Sequence, residues 1–238
     1  MQNISKELIP LYSPANTDDV CDILILPGFA ANQDDSLVQN LEKLLNTLSM
    51  TRIWSFDLYT KNQDQELVYL KDSLERMARD LCEAIQNTGV DNKLIIITHS
   101  FAAIPALLTL SMYDIHIAGL VLIDPSLLPV QKTYLDTMFS DHNGDYITKE
   151  SPSSIVSKKL YGQILTMDSL SLAKDINVPT LIIGAEHGAK EEAIKYQQAV
   201  GASAEFICVE GADHLFSNER QLNSLAGAIS DFIKRTQE

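Results

Sequence analysis

The stretch KLIIITHSFAAIPALL, residues 93–108, decides the fold. Its first half is a continuous apolar run, which is typical of a strand buried on both faces of a parallel sheet. Its second half, from Phe101 onward, combines small and apolar residues and predicts a buried helix. Ser100 stands at the junction, so the sequence predicts a strand that leads through a tight, serine-bearing turn directly into a helix.

The same alternation continues on both sides of this stretch. Short apolar runs are separated by longer segments whose apolar residues recur at helical spacing, which favours an α/β fold with a mostly parallel sheet and helices on both faces. We predict about six strands, beginning near residues 21, 52, 93, 117, 178 and 204. Helices are predicted over residues 37–48, 66–87, 101–113, 189–200 and 217–235.

One segment, residues 125–176, interrupts the alternation. It contains prolines, a His-Asn-Gly-Asp turn sequence and a Ser-Pro-Ser-Ser run among large apolar residues. It is too long for a simple crossover between two strands. We therefore predict a partly helical lid or cap inserted into one domain that spans residues 1–238.

Composition excludes several classes of partner. Lys and Arg number 18 against 32 Asp and Glu, so the net charge is −14, which disfavours nucleic acid and anionic membranes. The three cysteines, Cys21, Cys82 and Cys208, lack the close spacing of a metal cluster and suggest reduced thiols rather than disulfides. No signal peptide or membrane-spanning stretch is visible. We expect a cytoplasmic protein and leave its oligomeric state open.

Four stretches of the sequence serve as landmarks: ILPGFAAN (25–32), THSFAA (98–103), VPTLIIGAE (178–186) and VEGADHLF (209–216). They resemble segments of the α/β-hydrolase superfamily and occur in the order that its members require. The resemblance runs from residue 21 to the C-terminus. The first resembles the strand and turn before the first helix, where most members have His-Gly and Pro27 here takes the place of the histidine.

The resemblance implies that Ser100 is a nucleophile held in a strand–turn–helix elbow. The usual elbow pattern is Gly-x-Ser-x-Gly, and Thr98 and Ala102 replace both glycines here. A serine hydroxyl needs a base to take its proton, and His214, in the loop between the last predicted strand and helix, is the candidate base. The alternative is that Ser100 merely caps the following helix.

The acid that would orient His214 has two candidates. Many members carry an aspartate three residues after the glycine that corresponds to Gly184, but that position is His187 here. Some members take the acid from the end of the preceding strand, which points to Asp124, and Glu186 is the alternative. A carboxylate in this role holds the histidine tautomer and stabilises its charged form.

Two backbone N–H groups should form the oxyanion hole, those of Phe29 and Phe101. The resemblance thus implies a serine hydrolase that cleaves a carboxylic ester or thioester through an acyl-enzyme, without cofactor or metal. The Leu, Met and Tyr residues of segment 125–176 favour an apolar acyl or alkyl group in a small-molecule substrate. Two alternatives stay open: an acyltransferase with the same triad, and a non-catalytic ligand-binding protein on a hydrolase scaffold.

Overall fold

A computed structural model of the chain describes residues 8–13, 21–48, 51–61, 68–70, 73–87, 89, 93–149 and 154–237. The strands are β1 (Ile9–Tyr12), β2 (Cys21–Leu26), β3 (Thr51–Ser55), β4 (Thr60–Lys61), β5 (Val68–Leu70), β6 (Leu94–His99), β7 (Gly119–Ile123), β8 (Phe139–His142), β9 (Asp145–Thr148), β10 (Ser154–Val156), β11 (Thr180–Ala185) and β12 (Ala204–Val209). The helices are α1 (Ser36–Leu45), α2 (Leu74–Asn87), α3 (Ala103–Met112), α4 (Lys132–Met138), α5 (Lys158–Thr166), α6 (Ser169–Ala173), α7 (Lys190–Val200) and α8 (Glu219–Gln237). Among the helices of these residues, none combines the length and the apolar character that a membrane crossing needs.

The large sheet contains seven of the described strands in the order β1-β3-β2-β6-β7-β11-β12. Neighbouring strands run parallel except for β1, which pairs antiparallel with β3 at the edge. The six parallel strands are those that the apolar runs predict. The seventh, β1, was not predicted, because it is only four residues long and contains Pro10, which lacks the N–H group that a strand donates to its neighbour.

Helices cover both faces of this sheet, as the sequence predicts. Side chains alternate between the faces along each strand, so Leu94 and Ile96 of β6 join one apolar core while Ile95 and Ile97 join the other. The first core is closed mainly by α2, α3 and α7, and the second by α1 and α8. Burial on both faces explains why β6 is apolar at nearly every position.

One predicted helix begins too early. The expected helix 66–87 begins at Leu74, and Val68–Leu70 forms β5 instead, paired with β4 and β10 in a small five-stranded sheet. Residues 62–67 and 71–72 of this region lie outside the described residues. The helical spacing of the apolar residues does not indicate β5, because β5 is formed by pairing with β10, which comes from a distant part of the chain. The other predicted helices are confirmed to within three residues at each end.

Segment 125–176 is partly helical, with α4, α5 and α6, and it also contains β8, β9 and β10, three strands that the sequence does not predict. It contacts the N-terminal end of α2 through Gln163 of α5. The Gln163 side chain accepts a hydrogen bond from the Leu74 N–H at 2.8 Å and donates one to the Glu75 carboxylate at 2.6 Å. Its function as a lid within one domain stays a prediction.

Candidate active site

Ser100 lies in a sharp turn between β6 and α3. The turn is a 3₁₀ helix, Ser100–Ala102, and Ser100 has a positive φ of 54°, which is unfavourable for a residue with a side chain. The Ser126 N–H donates to the Ser100 carbonyl at 3.1 Å and holds this strained conformation. The backbone therefore has the form of a nucleophile elbow although both glycines of the usual pattern are absent.

Thr98 and Ala102 fit this turn without crowding it. Thr98 is fully buried, and its hydroxyl donates to the Val121 carbonyl of β7 at 3.3 Å. Its side chain is thus accommodated between strands rather than against the turn. Ala102 is also fully buried, where its methyl group packs into the core.

A chain of two hydrogen bonds joins Ser100, His214 and Asp124. The Ser100 Oγ lies 2.9 Å from His214 Nε2, and His214 Nδ1 lies 2.5 Å from Asp124 Oδ2. Because a carboxylate can only accept, Nδ1 carries the proton and Nε2 accepts the hydrogen bond of the serine hydroxyl. This network is consistent with a Ser-His-Asp triad.

Asp124 is a buried carboxylate whose lost hydration is replaced by hydrogen bonds. It is fully buried at the C-terminal end of β7, with a φ of 43°. Its Oδ1 accepts from the Ala185 N–H at 2.8 Å and from the Ala189 N–H at 2.9 Å, while Oδ2 faces the imidazole. The end of β11 and the start of α7 thus hold the carboxylate in place for His214.

The other two carboxylates near His214 have different partners. Glu186 is exposed and accepts a hydrogen bond from the Gly211 N–H at 2.8 Å, which holds the pKa of its carboxyl below the ordinary value. Asp213 accepts hydrogen bonds from two backbone N–H groups in the turn that follows it. The structure therefore joins Asp124 to the imidazole and leaves Glu186 to support the His214 loop.

His99 lies directly behind His214. Its Nε2 is 2.9 Å from the His214 carbonyl oxygen, and the two ring centroids are 4.8 Å apart. Burial, together with the nearby His214, lowers the pKa of His99 from 6.5 to about 4. A neutral His99 thus donates from Nε2 to the backbone of the candidate base. This contact has no sequence signal, since it joins residues more than a hundred positions apart.

Sequence reasoning missed Ser126. Its Oγ lies 3.2 Å from the Ser100 Oγ, and its carbonyl accepts a hydrogen bond from the Tyr196 hydroxyl at 2.9 Å. Its position two residues after Asp124 is the sequence signal that could have found it. A second hydroxyl at this distance can donate to the Ser100 oxygen while that oxygen donates to His214.

The two candidate oxyanion donors, Phe29 and Phe101, lie beside the same cavity as Ser100. Phe101 is the second residue of a helical turn, where a backbone N–H has no partner within the helix. Phe29 follows Gly28, at which a Cβ atom would come within 3.0 Å of His99 Nδ1. The two rings pack edge to face with centroids 5.6 Å apart.

A cavity of about 790 Å³ opens onto Ser100 and His214. Its volume suits a small-molecule ligand. Most of its wall comes from segment 125–176, whose contributing apolar residues are Leu127, Leu128, Pro129, Val130, Leu135, Met138, Phe139 and Ile164. The Ser100 hydroxyl thus faces an apolar space large enough for an acyl or aromatic group.

Three solved structures show what this architecture is similar to. Est1E from Butyrivibrio proteoclasticus superposes with a TM-score of 0.73 at 14% identity, covering 96% of this chain and 92% of that one. Mouse alpha/beta hydrolase domain-containing protein 10 gives a TM-score of 0.68 at 14% identity and coverages of 96% and 99%. The chain has the α/β-hydrolase fold.

A thermophilic esterase from Thermogutta terrifontis shares the α/β-hydrolase fold, with a TM-score of 0.67, 16% identity and coverages of 92% and 91%. Est1E is also represented in a structure with ferulic acid bound. No protein-family profile and no curated protein sequence matches the chain significantly. At these identities the likeness establishes the fold.

The α/β-hydrolase fold explains why distant residues meet. The carboxyl ends of parallel strands lie at one edge of the sheet, where such folds place their sites. Ser100 follows β6, Asp124 follows β7, and His214 lies in the loop after β12. Their order along the chain, serine then acid then histidine, is the order this fold uses.

Proposed function

We propose that the protein is a serine hydrolase that cleaves a carboxylic ester or thioester through an acyl-enzyme. One observation carries the proposal: hydrogen bonds of 2.9 Å and 2.5 Å link the Ser100 hydroxyl through His214 to the buried Asp124. The apolar cavity beside the hydroxyl gives a carbonyl substrate a place to bind.

The reaction begins when the Ser100 Oγ attacks the substrate carbonyl and His214 Nε2 takes the hydroxyl proton. Asp124 stabilises the imidazolium that forms, and the backbone N–H groups of Phe29 and Phe101 stabilise the oxyanion. The imidazolium then gives its proton to the departing alcohol or thiol. A water molecule attacks the acyl-enzyme with His214 as base, which releases the acid and restores the serine.

Segment 125–176 acts in this proposal as a lid over the acyl group. Its apolar residues form most of the cavity wall, and Gln163 connects it to α2. An apolar wall excludes water from the acyl-binding space and favours uncharged acyl chains or aromatic acids. The ferulic acid in the Est1E structure makes an aromatic ester a suitable member of a substrate panel.

A panel of neutral esters and thioesters tests the proposal. It should include p-nitrophenyl acetate and butyrate, methyl ferulate, and N-acetylcysteamine thioesters. We expect Ser100→Ala to lower kcat/KM for every hydrolysed compound by at least about 10³-fold. A folded wild-type protein without activity on the whole panel would contradict the proposal and favour a non-catalytic ligand-binding protein.

Product analysis separates hydrolysis from acyl transfer. Both reactions pass through the same acyl-enzyme, so they differ in whether water or another acceptor attacks it. Wild-type protein incubated with ester and a competing alcohol or amine should release mainly the free acid. A product that is mainly the new ester or amide would identify an acyltransferase.

A cytoplasmic location is part of this proposal. Cys21 and Cys82 are buried free thiols, and burial raises the pKa of Cys21 to about 11. Unreactive, unpaired thiols suit a reducing compartment. Cell fractionation with an antibody against the protein would test it.

A further inference from the structure

The cavity at Ser100 carries its fixed charge on one residue. Among the described residues that line it, Glu192 is the one carboxylate, and neither lysine nor arginine is present. Glu192 is half-buried in the first turn of α7, where the positive end of the helix dipole favours a negative side chain. A substrate bound at Ser100 thus meets an anionic group and apolar side chains.

The lysines closest in sequence to the cavity wall interact with groups outside the cavity. Lys190, in the same turn of α7, interacts electrostatically with Glu186 and Cys208, neither of which lines the cavity. Lys132 of α4 is paired with Asp136, with its Nζ 2.7 and 2.8 Å from the two carboxylate oxygens. The net charge of −14 adds to the negative field of the surrounding surface.

We propose that Glu192 selects substrates by charge, so that the cavity takes apolar acyl esters or thioesters with a neutral or cationic alcohol or thiol part. Carriers that bear phosphate groups, such as coenzyme A, are disfavoured. Binding a phosphate needs cationic or N–H donors, whereas a carboxylate in apolar surroundings repels it strongly. The inference rests on the proposed function, because selection is measured through the reaction of Ser100.

Two substrate pairs vary the charge. Butyryl-coenzyme A and the butyryl thioester of N-acetylcysteamine share the acyl group and the thioester bond, but the coenzyme A thioester is larger and carries phosphate groups, so the change of this ratio in the Glu192 variants is what reports on charge. Butyrylcholine and 3,3-dimethylbutyl butyrate are nearly equal in shape and differ in one positive charge. We expect wild-type kcat/KM to favour the neutral thioester over the coenzyme A thioester by about tenfold or more, and the choline ester over its neutral analogue by about threefold or more.

Substitutions at two adjacent glutamates separate a cavity charge from a surface charge. Glu192→Lys should shift each ratio by about tenfold or more toward the less positively charged member of the pair, which is the coenzyme A thioester in the first pair and the neutral ester in the second. Glu192→Gln should shift both ratios part of the way. Glu191→Lys is the matched control, because Glu191 precedes it in the same helical turn, is exposed and does not line the cavity. We expect Glu191→Lys to change the ratios less than about twofold, since salt screens exposed charges.

The outcomes separate this inference from the proposed function. Equal wild-type rates within each pair, or equal effects of Glu192→Lys and Glu191→Lys, would overturn the charge selection alone, provided that 3,3-dimethylbutyl butyrate is hydrolysed in a Ser100-dependent manner. Absence of Ser100-dependent hydrolysis of every neutral substrate would overturn the proposed function and the inference together. Ratios that respond to Glu192 and not to Glu191 would support the inference.

Discussion

Gly188 lies so close to Asp124 that a side chain at position 188 would occupy the space of the carboxylate. A Cβ atom built on Gly188 overlaps Asp124 Oδ2, the oxygen that accepts the hydrogen bond from His214. The backbone of the loop between β11 and α7 thus packs directly against the Asp124 carboxylate. Glycine at this position lets the loop approach near enough for the Ala189 N–H to reach the carboxylate at 2.9 Å.

Replacing Gly188 with alanine should therefore lower the catalytic rate although Gly188 is not itself a member of the proposed triad. The added methyl group displaces Asp124 and breaks its hydrogen bond to His214, and we expect kcat to fall by about 10²-fold or more. Gly227→Ala is the matched control, because Gly227 lies in α8 with open space around its Cα. That variant should keep full activity and gain about 0.5–1 kcal/mol of stability. Equal activity of the two variants would show that Asp124 does not act through His214.

The identity of the acid is tested by comparing Asp124→Asn with Glu186→Gln. Asparagine at 124 removes the charge that stabilises the His214 imidazolium and favours the wrong tautomer, so kcat should fall by about 10³- to 10⁴-fold. Glu186→Gln should change kcat less than about threefold, since its loss affects a hydrogen bond to the Gly211 N–H. Steady-state kinetics on one neutral ester suffices, and the opposite pattern would assign the role to Glu186.

Ser126 should assist the nucleophile without being essential. Its hydroxyl, 3.2 Å from the Ser100 Oγ, supplies one neutral hydrogen bond at the reacting oxygen. Removing it in Ser126→Ala should lower kcat/KM by about three- to tenfold, in line with the net free energy of such a bond. Loss as large as that in Ser100→Ala would instead make Ser126 a nucleophile or a proton carrier.

The buried His99 should make folding stability fall in mild acid. Burial and His214 lower its pKa from 6.5 to about 4, so between these values the unfolded chain binds a proton that the folded chain does not. The contribution of His99 to the free energy of unfolding is therefore fully present above pH 6.5 and is lost as the pH falls toward 4. Between pH 7 and pH 5 this loss is about 2 kcal/mol.

Urea unfolding at pH 7 and pH 5 measures this contribution when wild type is compared with His99→Gln. Glutamine does not titrate, so the variant should lose less stability between the two pH values, by about 2 kcal/mol. Other titrating groups affect both proteins and cancel in the comparison. The same pH dependence in both proteins would mean that folding does not lower the pKa of His99.

The parts of the fold that could be predicted are those with a local pattern. Strands β6, β7 and β11 are continuous apolar runs because both of their faces are covered, and such runs are visible in the sequence. The apolar spacing of the sequence predicts a helix that includes Val68–Leu70, but pairing with β10 makes these residues a strand. Strand β1 is short and contains Pro10, which argues against a strand in the sequence but is tolerated at the edge of the sheet, where β1 lies.

The candidate site also has parts that the sequence predicts and parts that only the structure shows. The sequence predicts Ser100, Asp124 and His214 as site residues because each follows a recognisable strand in the order of a known fold, and the structure brings their side chains within hydrogen-bond distance. The sequence favours Asp124 over Glu186 because Asp124 ends a strand, and in the structure the Asp124 carboxylate contacts His214 Nδ1 while the Glu186 carboxylate contacts the Gly211 N–H. The contacts of His99 with His214 and of the Gly188 backbone with Asp124 are tertiary, so nothing local in the sequence predicts them. The contact of Ser126 with Ser100 is tertiary too, and its one sequence signal is the position of Ser126 two residues after Asp124.

Labelling with a fluorophosphonate probe tests the central claim most directly, because such probes react with serines activated by a neighbouring base. Wild-type protein should be labelled at neutral pH, with the adduct located on Ser100 by peptide mass spectrometry, and Ser100→Ala should remain unlabelled. His214→Ala should be labelled at least about 10²-fold more slowly. A folded wild-type protein that is not labelled, or that carries the adduct on another residue, would contradict the assignment of Ser100 as the nucleophile.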